Sequence, residues 1–496
     1  MYDPVYISIS IVEIPPTGPY PSTEDGRRIF RASIRTDEDG TDHTLTITCP
    51  HTSEEEQRLR WYFEAHAHRP YTDQIQAQQA TASIEAYGHS LFGQIFAADR
   101  EIGQQLQPLL AQVQNLRIEI EGSPAFHALH WEALREPGHQ PLALHAQVLR
   151  RRRARHSNSA TMGDSPQLRV LLVTARAQDA REAAYRTISR PLVDALADGA
   201  RVRVDLLRPG RYSALEDLLQ RASAEHGQGY YHLIHFDMHG SVSRPLDIAQ
   251  TPYLQSTKLD ARGVAASSLQ GYLYFEPEID ARPGERVTQP LYHAVDATTL
   301  TGLLGAHGIP MVLLNACQSA MQEGDSETSL GAQLLDGGVQ VVIAMSYSVL
   351  VESATIFVRR FYQRLFENAP LTDAMRGDAR RALFMDPTRS GRFDLAIQLE
   401  DWLLPVMYQN RDFQLRLRQP TSEEMATFRR AAAGTFSEPR TEYGFFRPRS
   451  RRPGDRARSD AAQFTAGTRH GRCRQEYAAA PPRPLVAAHR LDRSGV

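Results

Sequence analysis

Lysine is almost missing from this chain: of 56 basic residues only Lys258 is a lysine, and the rest are arginine. That bias points to a coding sequence rich in G and C. An excess of charge of one sign is missing too. The 56 basic and 58 acidic residues leave a formal net charge of -2, which excludes the overall basic field that gathers nucleic acid or an anionic membrane. Cysteine is scarce: Cys49, Cys317 and Cys473 stand far apart without C-x-x-C spacing. This excludes a disulfide framework and argues against a cysteine-rich zinc site. There is no run of about 18 apolar residues and no charged-then-apolar leader. A soluble, cytoplasmic protein is therefore expected, with no membrane partner, no cofactor and no metal.

What is present is ordinary globular material. The 496 residues suffice for two or three domains or one large one. Alternation over Val5–Val12 and Thr44–Thr48 reads as strands, and residues 54–66, 72–98 and 100–114 carry helical periodicity. Leu116–Ile120 reads as a further strand, followed by His130-Trp131-Glu132-Ala133-Leu134 and a strand ending in Arg150–Arg153. The arginine run reads as a solvated end rather than a nucleic-acid patch. Residues 1–155 are thus expected to be an α+β region leading into the core, and 156–166 a polar linker.

Residues 167–410 alternate short apolar strands with amphipathic helices. The strands are Leu168–Thr174, Val202–Leu207, His232–Phe236, Pro310–Asn315 and Val339–Met345; helices are expected near 179–198, 213–226, 297–305, 351–366 and 371–385. The pattern predicts an α/β fold, an α/β/α sandwich around a mostly parallel sheet. In such sheets functional groups gather at the carboxyl ends of the strands.

His232–Phe236 runs into Asp237-Met238-His239-Gly240, and Pro310–Asn315 into Ala316-Cys317-Gln318-Ser319. If those strands are neighbours, an imidazole and a thiol meet in one crevice. A free thiol has a pKa of roughly 8.5 and is a weak nucleophile at neutral pH. A nearby imidazole takes its proton and later protonates a leaving amine. The backbone N–H groups of Gly240 and Cys317 are candidate oxyanion donors. By position alone, Cys317 reads equally as a small buried residue and His239 as a turn residue.

Tyr230–Gly240 and Val312–Ala320 resemble the histidine and cysteine motifs of the CHAT family, caspase-like proteins related to separase and the gingipains. His130–Leu134 resembles that family's Trp-Glu-x-Leu signature, and Gly338–Met345 with Phe361–Leu365 resembles the segments after the cysteine. The similarity spans about residues 80–410. It implies a caspase-like fold and peptide-bond hydrolysis of a protein substrate, with His239 as base and Cys317 as nucleophile. The class-different alternative is a non-catalytic signalling module that keeps the fold.

Asp237 departs from the small residues usual at that place in the family. It is a candidate to orient a neighbour or bind a basic substrate side chain, and otherwise reads as a solvated loop acid. Ser346 and Tyr347, just past the last core strand, are candidates for a substrate pocket by position.

After Phe446 the composition changes. Residues 447–496 hold twelve arginines against four acidic residues, and read as a disordered basic tail after a connector over 411–446. Degenerate codons for Arg469–Ala478, read from the second base, permit Gly-Met-Gly-Gly-Ala-Gly-Lys-Ser-Thr, a phosphate-binding loop. The tail is therefore read as the frame-shifted start of an ATPase domain of the NACHT type. An attached ATPase module or a regulatory protein is the expected partner.

Overall fold

The computed structural model describes residues 6–37, 42–70, 72–152, 165–175, 201–251, 254–256, 269–278, 292–316, 329–367, 369–390, 395–410, 413, 415 and 417–434. All belong to the first of two units, Met1–Pro439, the second being Arg440–Val496. The expected helix over 179–198, most of the linker, Cys317 and the whole tail lie outside the described residues.

The N-terminal part supplies strands β1 (Ile7–Ile14), β2 (Ile29–Thr36), β3 (His43–Thr48), β4 (Leu116–Glu121) and β5 (Gln147–Arg152). Between β3 and β4 come helices α1 (Ser53–Glu64), α2 (Gln74–Phe96) and α3 (Arg100–Leu110). Helix α1 starts where the sequence offers a reciprocal cap: Thr52 accepts from the Glu55 backbone, and the Glu55 carboxylate accepts from Thr52 N–H. Alternation in β4 buries Leu116, Ile118 and Ile120 and turns the intervening residues outward.

The core strands follow: β6 (Leu168–Ala175), β7 (Val202–Leu207), β8 (Leu233–Ser243), β9 (Leu254–Ser256), β10 (Gln270–Phe275), β11 (Tyr292–Asp296), β12 (Met311–Asn315) and β13 (Val341–Met345). A separate hairpin, β14 (Thr388–Ser390) with β15 (Ala396–Gln398), precedes β16 (Pro405–Asn410). Strands β7, β6, β8, β12 and β13 lie side by side and parallel. Strand β16 joins antiparallel to β13 and parallel to β5, so the sheet continues through β5, β4 and β1 to β2 and β3. One sheet therefore runs through both the N-terminal region and the core.

Every residue of β12 and β13 is buried, as apolar strands covered on both faces must be. Val170, Leu172, Leu313 and Ile343 pack on one side with Phe357, Val358 and Phe361 of the helix Val351–Phe366. Leu171, Val173, Leu314 and Val342 pack on the other with Leu215, Leu219, Leu300, Leu304, Leu334 and Leu335. Each such side chain contributes about 1.5–3 kcal/mol on burial. Among the described residues no helix is long and apolar enough to cross a membrane.

The arginine run corrects an expectation. Arg150 and Arg151 are 3% and 7% exposed, not solvated. Arg150 Nη2 reaches Glu132 Oε2 at 2.9 Å, and Arg151 Nη2 pairs with Glu119. A buried guanidinium persists only when paired and hydrogen-bonded, and here both conditions are met.

Candidate functional site

Strand β8 is the backbone of the site, and it is longer than the sequence suggests. The expected strand ended at Phe236; the observed one continues to Ser243, so His239 lies inside a strand rather than in a turn. Residues 233–237 pair parallel with β12, whereas His239–Ser243 pair antiparallel with β10. β8 thus leaves its β12 neighbour where β12 ends, and a second partner takes up the ladder. Its even positions Ile234, Phe236 and Met238 enter the core. Its odd positions His235, Asp237, His239, Ser241 and Ser243 form a polar stripe on the other face.

Three polar residues stand abreast near the carboxyl ends of adjacent parallel strands: Thr174 and Asn315 are both register partners of Asp237. All three are buried, with Asp237 fully so. The reading of Asp237 as a solvated loop acid is therefore corrected: it is a strand residue held by Asn315 Nδ2 at 3.0 Å. A carboxylate in that place persists because it is hydrogen-bonded.

His239 is half-buried, and its ring meets Tyr292 of β11 edge to face, with centroids 5.8 Å apart at 89°. Tyr274 of β10 is its register partner. The Tyr274 hydroxyl lies 2.6 Å from Ser241 Oγ, and its ring is 6.1 Å from that of Tyr292. Gly240 is opposite Leu273. Cys317 lies outside the described residues, one position after Ala316, which ends a described segment.

Ser346 and Tyr347 are placed differently from His239. Ser346 donates to Leu404 O from both its backbone N (3.0 Å) and its Oγ (3.1 Å). Tyr347 is 4% exposed and turns its hydroxyl to Glu56 of α1, where His130 Nε2 lies 3.0 Å from Glu56 Oε2. Burial alone would lower the His130 imidazole, but the Glu56 carboxylate raises it above its usual range. Although the Glu56 side chain is half-exposed, the packing around its carboxylate opposes the charge, yet His130 holds it well below the usual carboxylate range.

Within the His130–Leu134 segment, Trp131 and Glu132 are structural. Trp131 is fully buried and donates from Nε1 to Phe126 O at 2.9 Å. Burial would raise the Glu132 carboxyl, but the Arg150 guanidinium overrides it and holds it below the ordinary range.

The structure therefore brings together His239, Gly240, Asp237 and the strand leading to Cys317. It sets Ser346 and Tyr347 into other contacts. Sequence reading missed Tyr274, Tyr292, Asn315 and Thr174. The alternation Gln270–Phe275 was a signal for β10; the pairing of Asn315 with Asp237 has no local signature.

By sequence, the chain matches the model of the CHAT domain over residues 93–426. No curated protein matches it. Among solved structures, it is similar to Saccharomyces cerevisiae separase in complex with securin, at 9% identity and TM-score 0.40, covering 81% of this chain and 30% of that one. It is also similar to the Arg-specific cysteine proteinase gingipain R, at 10% identity and TM-score 0.35, covering 66% of this chain and 70% of that one. The complex of the Porphyromonas gingivalis RgpB pro- and mature domains follows at 9% identity and TM-score 0.33, covering 74% and 79%. The chain spans under a third of the length of the separase chain it matches.

Proposed function

The chain belongs to the CHAT domain family, and from that membership we propose that it is a cysteine endopeptidase acting on a protein substrate through His239 and Cys317. The observation that carries this reading is the parallel pairing of β8 with β12, in which Asn315 is the register partner of Asp237. Each of these residues stands two positions before a member of the proposed dyad.

In this mechanism His239 takes the Cys317 proton and the thiolate attacks the scissile carbonyl carbon. The N–H groups of Gly240 and Cys317 receive the developing oxyanion. His239 then protonates the leaving amine, and water, activated by the same imidazole, hydrolyses the acyl-thioester. Tyr292 supports the imidazole from its edge-to-face position. A regulatory protein or an attached ATPase module gates the activity, the latter resting on the phosphate-loop reading that the degenerate codons of the tail permit in the second frame.

The test compares wild type, Cys317→Ala and His239→Ala on a mixture of unfolded proteins, reading new N-termini by mass spectrometry. Cleavage by wild type alone supports the reading. If the three give the same termini while Cys317 is already a reactive thiolate at neutral pH, the peptidase reading fails. The fold then serves as a non-catalytic signalling module.

A further inference from the structure

We propose that His51, Glu56 and His130 form a binding site for a divalent transition-metal ion of the zinc type. The proposal is independent of the peptidase reading, since none of the three belongs to the proposed dyad.

The three residues come from separate places. His51 lies in the turn between β3 and α1, Glu56 in the first part of α1, and His130 immediately before Trp131. No sequence spacing announces them, which is why the sequence raised no expectation of a metal. In the fold, one ligand atom from each lies within 4.8 Å of the others. Glu56 Oε2 is 3.0 Å from His130 Nε2 and 3.6 Å from His51 Nδ1. Two ligands about 2.0–2.2 Å from a tetrahedral ion stand roughly 3.3–3.6 Å apart, so Oε2 is at ligand spacing from His51 Nδ1; from His130 Nε2 it is at hydrogen-bond distance, and the metal takes the place of the proton held there.

The surroundings fix how each group faces the centre. His51 Nε2 is 3.3 Å from Ser83 O, an acceptor, which places a proton on that nitrogen; in the neutral imidazole Nδ1 then presents a lone pair. That lone pair faces a carboxylate oxygen at 3.6 Å, too far for a hydrogen bond, and Nδ1 has no hydrogen-bond partner. A lone pair aimed at a carboxylate is repulsive unless a proton or a metal ion stands between them, and a metal ion serves both imidazoles at once. The other Glu56 oxygen, Oε1, accepts from the Tyr347 hydroxyl and lies 3.3 Å from His130 Nε2, while Oε2 is nearer to both imidazoles. Outer partners that pin the second nitrogen of a ligating histidine and the second oxygen of a ligating carboxylate are the usual supports of a metal site.

The chemistry selects the ion. Two imidazoles and one carboxylate form a borderline set suited to zinc, whereas calcium and magnesium favour oxygen ligands. The His51 ring is 5% exposed and packs on Tyr87 at 4.6 Å; Tyr87 also packs on His130 at 5.2 Å. The Glu56 side chain is 47% exposed, so the centre opens to solvent on that side and leaves a fourth position for water. A bound ion ties α1 to the Trp131 turn and, through Tyr347, to the end of β13.

The experiment strips the full chain with a chelator and titrates it with Zn2+ against a chromophoric competitor, and separately with Co2+ by visible absorption. One equivalent of tight Zn2+ and an intense four-coordinate Co2+ band are expected. His51→Ala, His130→Ala and Glu56→Gln should each weaken binding by at least about tenfold. Glu56→Gln keeps the side-chain size at a half-exposed place, and its circular dichroism without metal should match wild type. Glu56→Gln and the histidine variants binding Zn2+ as wild type does would overturn the proposal. So would absence of micromolar binding by wild type, or a weak, six-coordinate Co2+ band.

Discussion

Asn315 Nδ2 donates a 3.0 Å hydrogen bond to Asp237 Oδ1 across two neighbouring parallel strands, inside the sheet and away from solvent. The bond joins the two backbones just before the proposed base and nucleophile, so it fixes the relative placement of the strands that carry them.

Removing one partner strands the other. Asp237→Ala leaves the buried Asn315 amide without its acceptor and should cost about 1–3 kcal/mol. Urea unfolding of the two proteins measures it. An unchanged midpoint would mean that the pair contributes nothing to the fold.

Cys317 should be alkylated well below the ordinary thiol range in wild type, and His239→Ala should return it to that range. Cys49, whose thiol burial pushes up, should react slowly in both. Iodoacetamide labelling across pH, resolved by peptide mapping, distinguishes the two cysteines. Equal pH profiles at Cys317 in both proteins would break the dyad.

Two buried imidazoles make stability depend on pH. Burial pushes His235 down to about 3. Burial, helped by the Arg169 guanidinium, pushes His232 down to about 4. Both are neutral in the fold, while in the unfolded chain they titrate near 6.5. Below that value the unfolded state binds more protons. Their contribution is complete above about pH 6.5 and is lost as pH falls toward 4, by on the order of a few kcal/mol. Urea midpoints between pH 4.5 and 7.5 should slope less in His235→Gln than in wild type; parallel curves would count against this account.

Gly88 in α2 lets the helix sit against the Trp131 turn: a Cβ there would come 2.0 Å from the Ala133 carbonyl oxygen. Backbone cannot yield as a flexible side chain does. Gly88→Ala should therefore destabilise by about 1–3 kcal/mol despite the better helix propensity of alanine. Thermal unfolding decides it, and a raised Tm would refute the close approach.

The parallel core is legible in the sequence because strands buried on both faces are apolar at nearly every step. Met311–Asn315 and Val341–Met345 accordingly appear where the apolar runs put them. Trp131 and Glu132 are also announced, as a motif. The continuation of β8 past His239 is not, because Gly240-Ser241-Val242-Ser243 has weak strand propensity and is held by β10. Arg150 and Arg151 mislead for a related reason: their partners, Glu132 and Glu119, are distant in sequence, and charge alone reads as solvated. The tyrosines beside His239 come from β10, which pairs with β8, and from β11, which pairs with β10; both are non-local matters that no local pattern encodes.

The continuity of the sheet through β16 and β5 has a consequence for how the core can be separated from the rest. Cutting the chain at the linker would strip β5 from Pro405–Asn410 and leave a row of backbone donors and acceptors open along one flank. Such a flank is a template for strand addition by another molecule. The N-terminal region thus covers that flank, and residues 167–410 cut out alone would expose it.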